Sequence, residues 1–186
     1  MLDQIVSLHP EMVAPIAIHA WWPGAGDPFY QGNIPENTAR INYYGVNYTP
    51  HVYFDGVVDG LSGGPWEQMV VDRAAVESPL RIVLSGDPAA HTITAEITNT
   101  TGATLTGTLH FVIAESDVPP PPGSTYHLPQ RLNHGMRDFF PNVSGEVIAF
   151  SPGTPVTRTQ TFALGPAWIE ENLDCVSMTL GLAQAL

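Results

Sequence analysis

The sequence predicts an α+β chain, in which helices and strands alternate through a first part and an all-β sandwich follows. Three observations predict it. The first eighty residues switch between helical and strand apolar patterns, punctuated by Pro and Gly. From Leu80 onward the chain is rich in threonine, alternates polar and apolar residues, and nearly loses its helix signals. Between the two, Ser78-Pro79-Leu80 breaks the pattern and divides the chain into 1–79 and 80–186. At 186 residues there is length enough for a real core in one large domain or two small ones.

Each element has its own warrant. Leu2, Ile5, Val6 and Leu8 share one helical face, with no N-cap before them. Residues 13–20 are a short apolar run, long enough for a buried strand and too short for a helix. Residues 21–28 form a loop by their Pro and Gly density. Pro35-Glu36-Asn37 starts a helix that runs to Tyr44, where Gly45 ends it. Residues 51–55 form a strand, and the turn signals Asp55-Gly56 and Asp59-Gly60 make Val57-Val58 the start of a returning hairpin strand. Pro65 opens a helix over 66–77. Beyond it, residues 92–98 alternate as a strand, Asn99-Thr100-Thr101-Gly102 turns, and Leu105, Gly107, Leu109, Phe111 and Ile113 alternate again. Further strands are predicted at 145–150, 156–164 and 173–180. Between Ser116 and Gln130 lies a Pro-rich excursion, Pro119 to Pro122, read as extended.

Composition narrows the function classes. The net charge is −12, carried against six Arg and no Lys, so phosphate backbones and anionic lipid surfaces are repelled and nucleic acid is not an expected partner. No apolar run approaches the ~20 residues a membrane helix needs. Met1-Leu2-Asp3-Gln4 lacks a basic region followed by an apolar one, so no signal peptide is expected in this chain. The single cysteine, Cys175, excludes an intrachain disulfide, a cysteine-based zinc site and a two-thiol redox cycle within this polypeptide.

The densest motif is Tyr48-Thr49-Pro50-His51-Val52-Tyr53-Phe54-Asp55-Gly56. A Pro opening a strand removes a ladder donor and marks a special bend, so the Thr49–Pro50 bond is predicted cis. His19 ends the apolar run and His51 follows Pro50, which would place both near one edge of the sheet. With Asp27 they could ligate zinc or copper, but two histidines without a third clear ligand favour ordinary hydrogen-bonded side chains, and no metal or cofactor is assigned. Gly60-Leu61-Ser62-Gly63-Gly64 matches a nucleophile elbow formally, yet a plain helix start is the better reading, and no catalytic residue is assigned. Cys175 reads as a small buried strand residue whose neighbours Glu170, Glu171 and Asp174 raise its pKa. Trp21, Trp22 and Trp66 favour packing over a glycan platform. Asn47, Asn99 and Asn142 head formal glycosylation sequons.

Several segments together carry a resemblance: His9-Pro10-Glu11, Ile18-His19, Trp22-Pro23, Asp27-Pro28-Phe29-Tyr30, residues 36–46, Pro50 and Asp55-Gly56. Over about residues 5–60 the chain resembles the thioredoxin-like part of a family of bacterial envelope proteins that includes outer-membrane lipoproteins. Residues 132–138 and 172–176 resemble the β module of the same proteins. The resemblance implies a truncated thioredoxin-like domain over 1–79, an immunoglobulin-like sandwich over 80–186, and an extracytoplasmic location. It implies that Pro50 is the family's cis-proline, beside a loop that offers backbone groups to an extended peptide. Thr49, Pro50, His51 and His19 are the partner-binding residues so expected. Family members carry a strand and a Trp-Cys-x-x-Cys helix start before the region matching residues 2–10, and here nothing precedes it. The function expected is therefore a non-catalytic binding module for a protein or peptide partner. The alternative is part of a thiol–disulfide oxidoreductase whose Cys pair lies upstream, and the third is a glycan-binding module. Residues 13–20 and 51–55 would flank a vacant strand position, to be closed by direct pairing or by a second copy in a homodimer.

Overall fold

The computed structural model describes residues 2–22, 26–119 and 131–184. Its N-terminal part is a set of short elements whose ends follow from capping chemistry. Helix α1 (Leu2–Leu8) buries Ile5 in a cluster with Trp66 and Val70. Helix α2 (Pro28–Gly32) is started by Asp27, whose carboxylate accepts the N–H groups of Phe29 and Tyr30, both at 2.9 Å. Asn33 caps helix α3 (Ile34–Tyr44) by accepting Glu36 N–H, and Gly45 ends it at φ 64°, the left-handed region where glycine carries no steric cost. Strands β1 (Tyr53–Phe54) and β2 (Val58–Asp59) form a hairpin turned by Asp55 and Gly56, both at positive φ. Helix α4 (Trp66–Ala74) then supplies the wall against α1.

Two antiparallel sheets follow and face each other. One orders β3 (Leu80–Asp87), β4 (Thr92–Asn99) and, further along the chain, β8 (Val156–Thr161). The other is built on β5 (Leu105–Glu115), paired along both edges: with β6 (Gly135–Phe140) and then β7 (Glu146–Phe150) on one side, and with β9 (Leu173–Gln184) on the other. Strand alternation gives β5 two buried faces. Leu105, Leu109, Phe111 and Ile113 meet Leu80, Ile93, Ala95 and Ile97 between the sheets. On the opposite face Val112 packs with Met136 and Phe139, and Ile16 and Ile18 cover them. That second face is where the N-terminal elements dock.

The α+β expectation, with its truncated thioredoxin-like half, does not hold. The described chain is mostly β, its sheets are antiparallel, and no α/β pattern of parallel strands joined by crossover helices forms. Residues 13–20 do not pair with 51–55 across a closed-up slot. They run beside β6 instead, where Ala17 bridges Gly135 in parallel, with Ala17 N–H to His134 O at 2.7 Å and Met136 N–H to Ala17 O at 2.9 Å. The physical reason is that an extended apolar segment needs an edge, and the free edge of β6 offers main-chain partners together with the apolar cover of Met136 and Phe139. The strand expected at 51–55 shortens to Tyr53–Phe54. The Thr49–Pro50 bond is cis, as the motif predicts, and so is Phe140–Pro141, which the sequence does not flag. The Pro-rich excursion lies mostly outside the described residues. Among those described, no helix is long and apolar enough to cross a membrane.

Candidate functional site

Helix α3 lies over the second face of β5, and its buried stripe carries polar residues. Asn37 and Arg40 are 0% and 3% exposed beside Ile41. Asn37 is fully satisfied locally: its amide donates to Phe29 O and Asn33 O, and its oxygen accepts His19 N–H at 2.9 Å. Arg40 is not. Its guanidinium carbon stands 4.4 Å from the centre of the Phe139 ring and 5.4 Å from that of Tyr43. Its Nη2 lies 3.0 Å from Nδ1 and 3.2 Å from Nε2 of His110, and donates to whichever nitrogen is unprotonated. Burial, reinforced by the Arg40 charge, holds His110 down at about 4, so at neutral pH the ring accepts a hydrogen bond and brings no charge.

Glu36, one turn earlier, has the spacing of a helical ion pair with Arg40. Its carboxylate turns elsewhere: Oε2 accepts Phe139 N–H at 2.9 Å and Asn33 Nδ2 at 2.7 Å. Among the described residues no carboxylate lies within ion-pair distance of Arg40, and its Nε is buried without a hydrogen-bond acceptor. Burial also pulls Arg40 below the ordinary guanidinium value, yet a guanidinium stays charged at any physiological pH. Glu36 acts on the Arg40 charge from a distance without touching it, and a buried cation with no anion in contact is expensive unless one joins it. Beside it is a cavity of about 330 Å³, lined by Tyr43, Thr108, His110, Val143, Ser144 and Leu180 among others. A Cβ at Gly145, which sits at φ 71°, would come within 2.6 Å of Leu109 O and of the His110 ring, so glycine lets this turn close tightly on the site.

Two titrations at this site oppose each other. Burial above all, with the neighbouring Asp138, raises Glu36 from 4.5 to about 7. The folded state therefore holds a proton the unfolded chain releases, and this stability is complete below 4.5 and lost as pH rises through about 7. His110 runs the other way: its folded value of about 4 lies under the ordinary 6.5, so its contribution is complete above 6.5 and lost as pH falls toward 4. The native protein should show a flattened pH profile between these limits. Glu36→Gln leaves His110 unopposed, so its melting temperature should fall as pH drops from about 7 to 4.5. His110→Gln should show the reverse slope. Thermal melts of the two variants across that range check this, and parallel profiles would contradict it.

The residues expected from sequence sit apart from this cavity. His19 Nδ1 pairs with Asp27 at 2.6 Å, and this pairing with the Phe29 and Tyr30 N–H bonds holds the Asp27 carboxyl below its usual value against the opposing effect of burial. His51 pairs with Asp59 at 2.9 Å and lies parallel to the Tyr53 ring at 4.9 Å, with Tyr48 also in contact. The two histidines thus have separate partners, and Asp27 joins only the first. Among the described residues no group of three His, Cys, Asp or Glu could hold a metal ion. Thr49 and Pro50 are exposed on the loop before β1.

The remaining motifs find plain structural places. The Gly60–Gly64 turn is packed under Trp66, whose indole N–H donates to Gly60 O and Leu61 O. Trp21 and Trp22 meet edge to face at 87°, which is no flat platform. Cys175 is exposed rather than buried, because β9 lies along an edge of its sheet, and partial desolvation with Asp174 nearby pushes its thiol up. Asn99 is 1% exposed and donates to Ala103 O and Phe150 O, so this sequon closes a turn and presents no amide for a glycan. Sequence reasoning missed Arg40 and His110. The sequence shows only that residues 37, 40, 41 and 44 share one face of α3; that Asn37 and Arg40 on that face are buried, and that His110 meets Arg40, appears only in the fold.

Neither the family models nor the curated proteins searched contain a match to this chain. Among solved structures, the Salmonella enterica trimeric lipoprotein SadB is similar at 16% identity and a TM-score of 0.30, over 57% of this chain and 53% of that one. The chain thus spans about half of that protein's length, and a likeness of this size carries no argument about fold or function.

Proposed function

We propose that this chain is a non-catalytic binding module whose ligand is a small monocarboxylate held in the Arg40 cavity. The observation that carries it is the buried Arg40 guanidinium, unpaired by any carboxylate among the described residues, with its Nε unsatisfied beside open volume. A guanidinium edge matches a carboxylate in shape and charge. One cation supports one negative charge, and among the described residues Arg40 is the only cation lining the cavity, which argues against phosphate esters and dicarboxylates. Val143, Leu180 and Tyr43 favour an apolar body, while Thr108 and Ser144 carry hydroxyls that can orient it. The volume is at the low end of small-ligand pockets. The chain's net charge of −12 does not forbid this, since charges beyond about 8–10 Å are screened at physiological salt whereas Arg40 acts at contact. An extracytoplasmic setting belongs to the same proposal and rests on the sequence resemblance alone, since the thioredoxin-like fold it implied does not form.

Titration calorimetry with benzoate and hexanoate, and with inorganic phosphate as comparator, tests it. The monocarboxylates should bind, shifting the His110 ring signals in NMR spectra, and phosphate should not. Arg40→Met should weaken binding by at least about tenfold, since hydrogen bonds to charged groups are worth ~1.5–3 kcal/mol. Ser144→Ala, at the rim, provides a second variant that leaves the buried cation in place and should weaken binding less. No binding by either acid, or equal binding after Arg40→Met, would refute the reading.

A further inference from the structure

Strand β3 is the end strand of its sheet, the sheet that does not carry the Arg40 cavity. All eight of its residues pair with β4, and among the described residues no strand covers its other edge. Exposed edges are normally guarded by Pro, Lys, a bulge or a short length. Leu80–Asp87 has none of these: it runs in unbroken register, and Pro79 and Pro88 lie just outside it. Val83 and Leu84 are 44% and 39% exposed, and Ser85, Gly86 and Asp87 are exposed as well. The strand carries only two charges, Arg81 and Asp87, one near each end.

Among the described residues those two charges have no opposite charge paired with them. Arg73, Arg131, Arg137 and Arg158 each have a carboxylate partner, while Arg81 is exposed and has none among the described residues. Asp87 uses Oδ1 to accept the N–H groups of Ala89 and Ala90, at 3.0 and 3.3 Å, which fixes the carboxylate and leaves Oδ2 without a partner among the described residues.

We propose that two copies of this chain pair β3 to β3, antiparallel, about a two-fold axis at Leu84, and so form one continuous six-stranded sheet. In that register Arg81 faces Asp87 of the second copy, Ile82 faces Gly86, Val83 faces Ser85, and Leu84 faces its own copy. Shifting the axis to residue 83 sets Asp87 against Pro79, and shifting it to residue 85 sets it against Val83, so charge complementarity selects the register centred on Leu84. Both charged pairs form at once because the interface is isologous. The second copy supplies the main-chain partners the edge lacks, and the cross-strand pairs fix the alignment.

Sedimentation equilibrium on the purified chain at high micromolar concentration and moderate salt should give twice the 20.1 kDa chain mass. Arg81→Asp should weaken dimerisation by about tenfold, because two opposite-charge pairs become like-charge pairs. The double swap Arg81→Asp with Asp87→Arg should restore it. Independently of any variant, amide exchange in β3 should slow with protein concentration while β8 stays unchanged. A monomer or trimer, a dimer indifferent to Arg81→Asp, or concentration-independent exchange in β3 would overturn the proposal.

Discussion

Replacing Arg137 by leucine is expected to remove about 3–5 kcal/mol of folding stability, a large share of the ~5–15 kcal/mol that holds a typical domain together. Arg137 is the bulged residue of β6, where pairing with β5 skips from Asp138 to Met136. The bulge leaves its guanidinium against the Glu115 carboxylate, with the two side chains 7% and 0% exposed. Glu115 takes Arg137 on Oε2 and the Ile169 N–H on Oε1 at 2.9 Å. Leucine would leave that carboxylate buried with a single N–H donor. The loss therefore comes from the stranded charge rather than from the pair itself. Glu115→Met combined with Arg137→Leu should recover most of it, and urea denaturation of the three variants decides. A loss under about 1 kcal/mol for Arg137→Leu alone would mean that water reaches the pair.

Phe29→Ala should cost a similar amount, about 3–5 kcal/mol, by opening a cavity in a site that cannot collapse. Phe29 is 1% exposed and packs with Val118 and Leu132. Its ring lies so close over Gly135 that a Cβ there would come within 2.2 Å of it, so the glycine exists to admit the ring. One neighbour is the His19 ring, centred 4.7 Å away, and another is the Arg137 guanidinium, 4.1 Å from the Phe29 centre. The same ring thus roofs the buried ion pair. Phe29→Ala with Arg137→Leu should consequently cost less than the sum of the singles, and urea denaturation of the cycle measures the coupling. Strict additivity would place the ring outside the ion pair's environment.

Much of the β half was legible because antiparallel strands declare themselves by alternation. Residues 92–98, 105–113 and 173–180 fall within strands, the strand expected at 145–150 starts one residue late at Glu146, the one expected at 156–164 ends early at Thr161, and Gly45 and Asp55-Gly56 did the work their chemistry implies. Strand β6 was missed, since the motif Gly135-Met136-Arg137-Asp138 has its alternation broken by the bulge. Helix α2 was missed because five residues are too short to show a period, although Asp27-Pro28 is a good start signal. The larger error lay in tertiary assignment. A short apolar run such as 13–20 states that it will be extended and buried, but not which sheet edge receives it. The candidate site was illegible for a related reason: Arg40 and His110 lie seventy positions apart, and neither shows its lack of a carboxylate partner until the fold brings them together.

The pairing of β5 with β9 also sets a timetable for the chain. Glu115 meets Leu173, so the outer edge of the central strand stays open until a segment nearly sixty residues further along arrives. Local hairpins such as β3–β4 can close in microseconds, but this closure brings together distant parts of the chain and belongs with the slow, high-contact-order steps of β proteins. Until it happens, both apolar faces of β5 lack their full cover. The newly made chain is then at its most adhesive, and the order in which its sheets close governs how much of it reaches the native state.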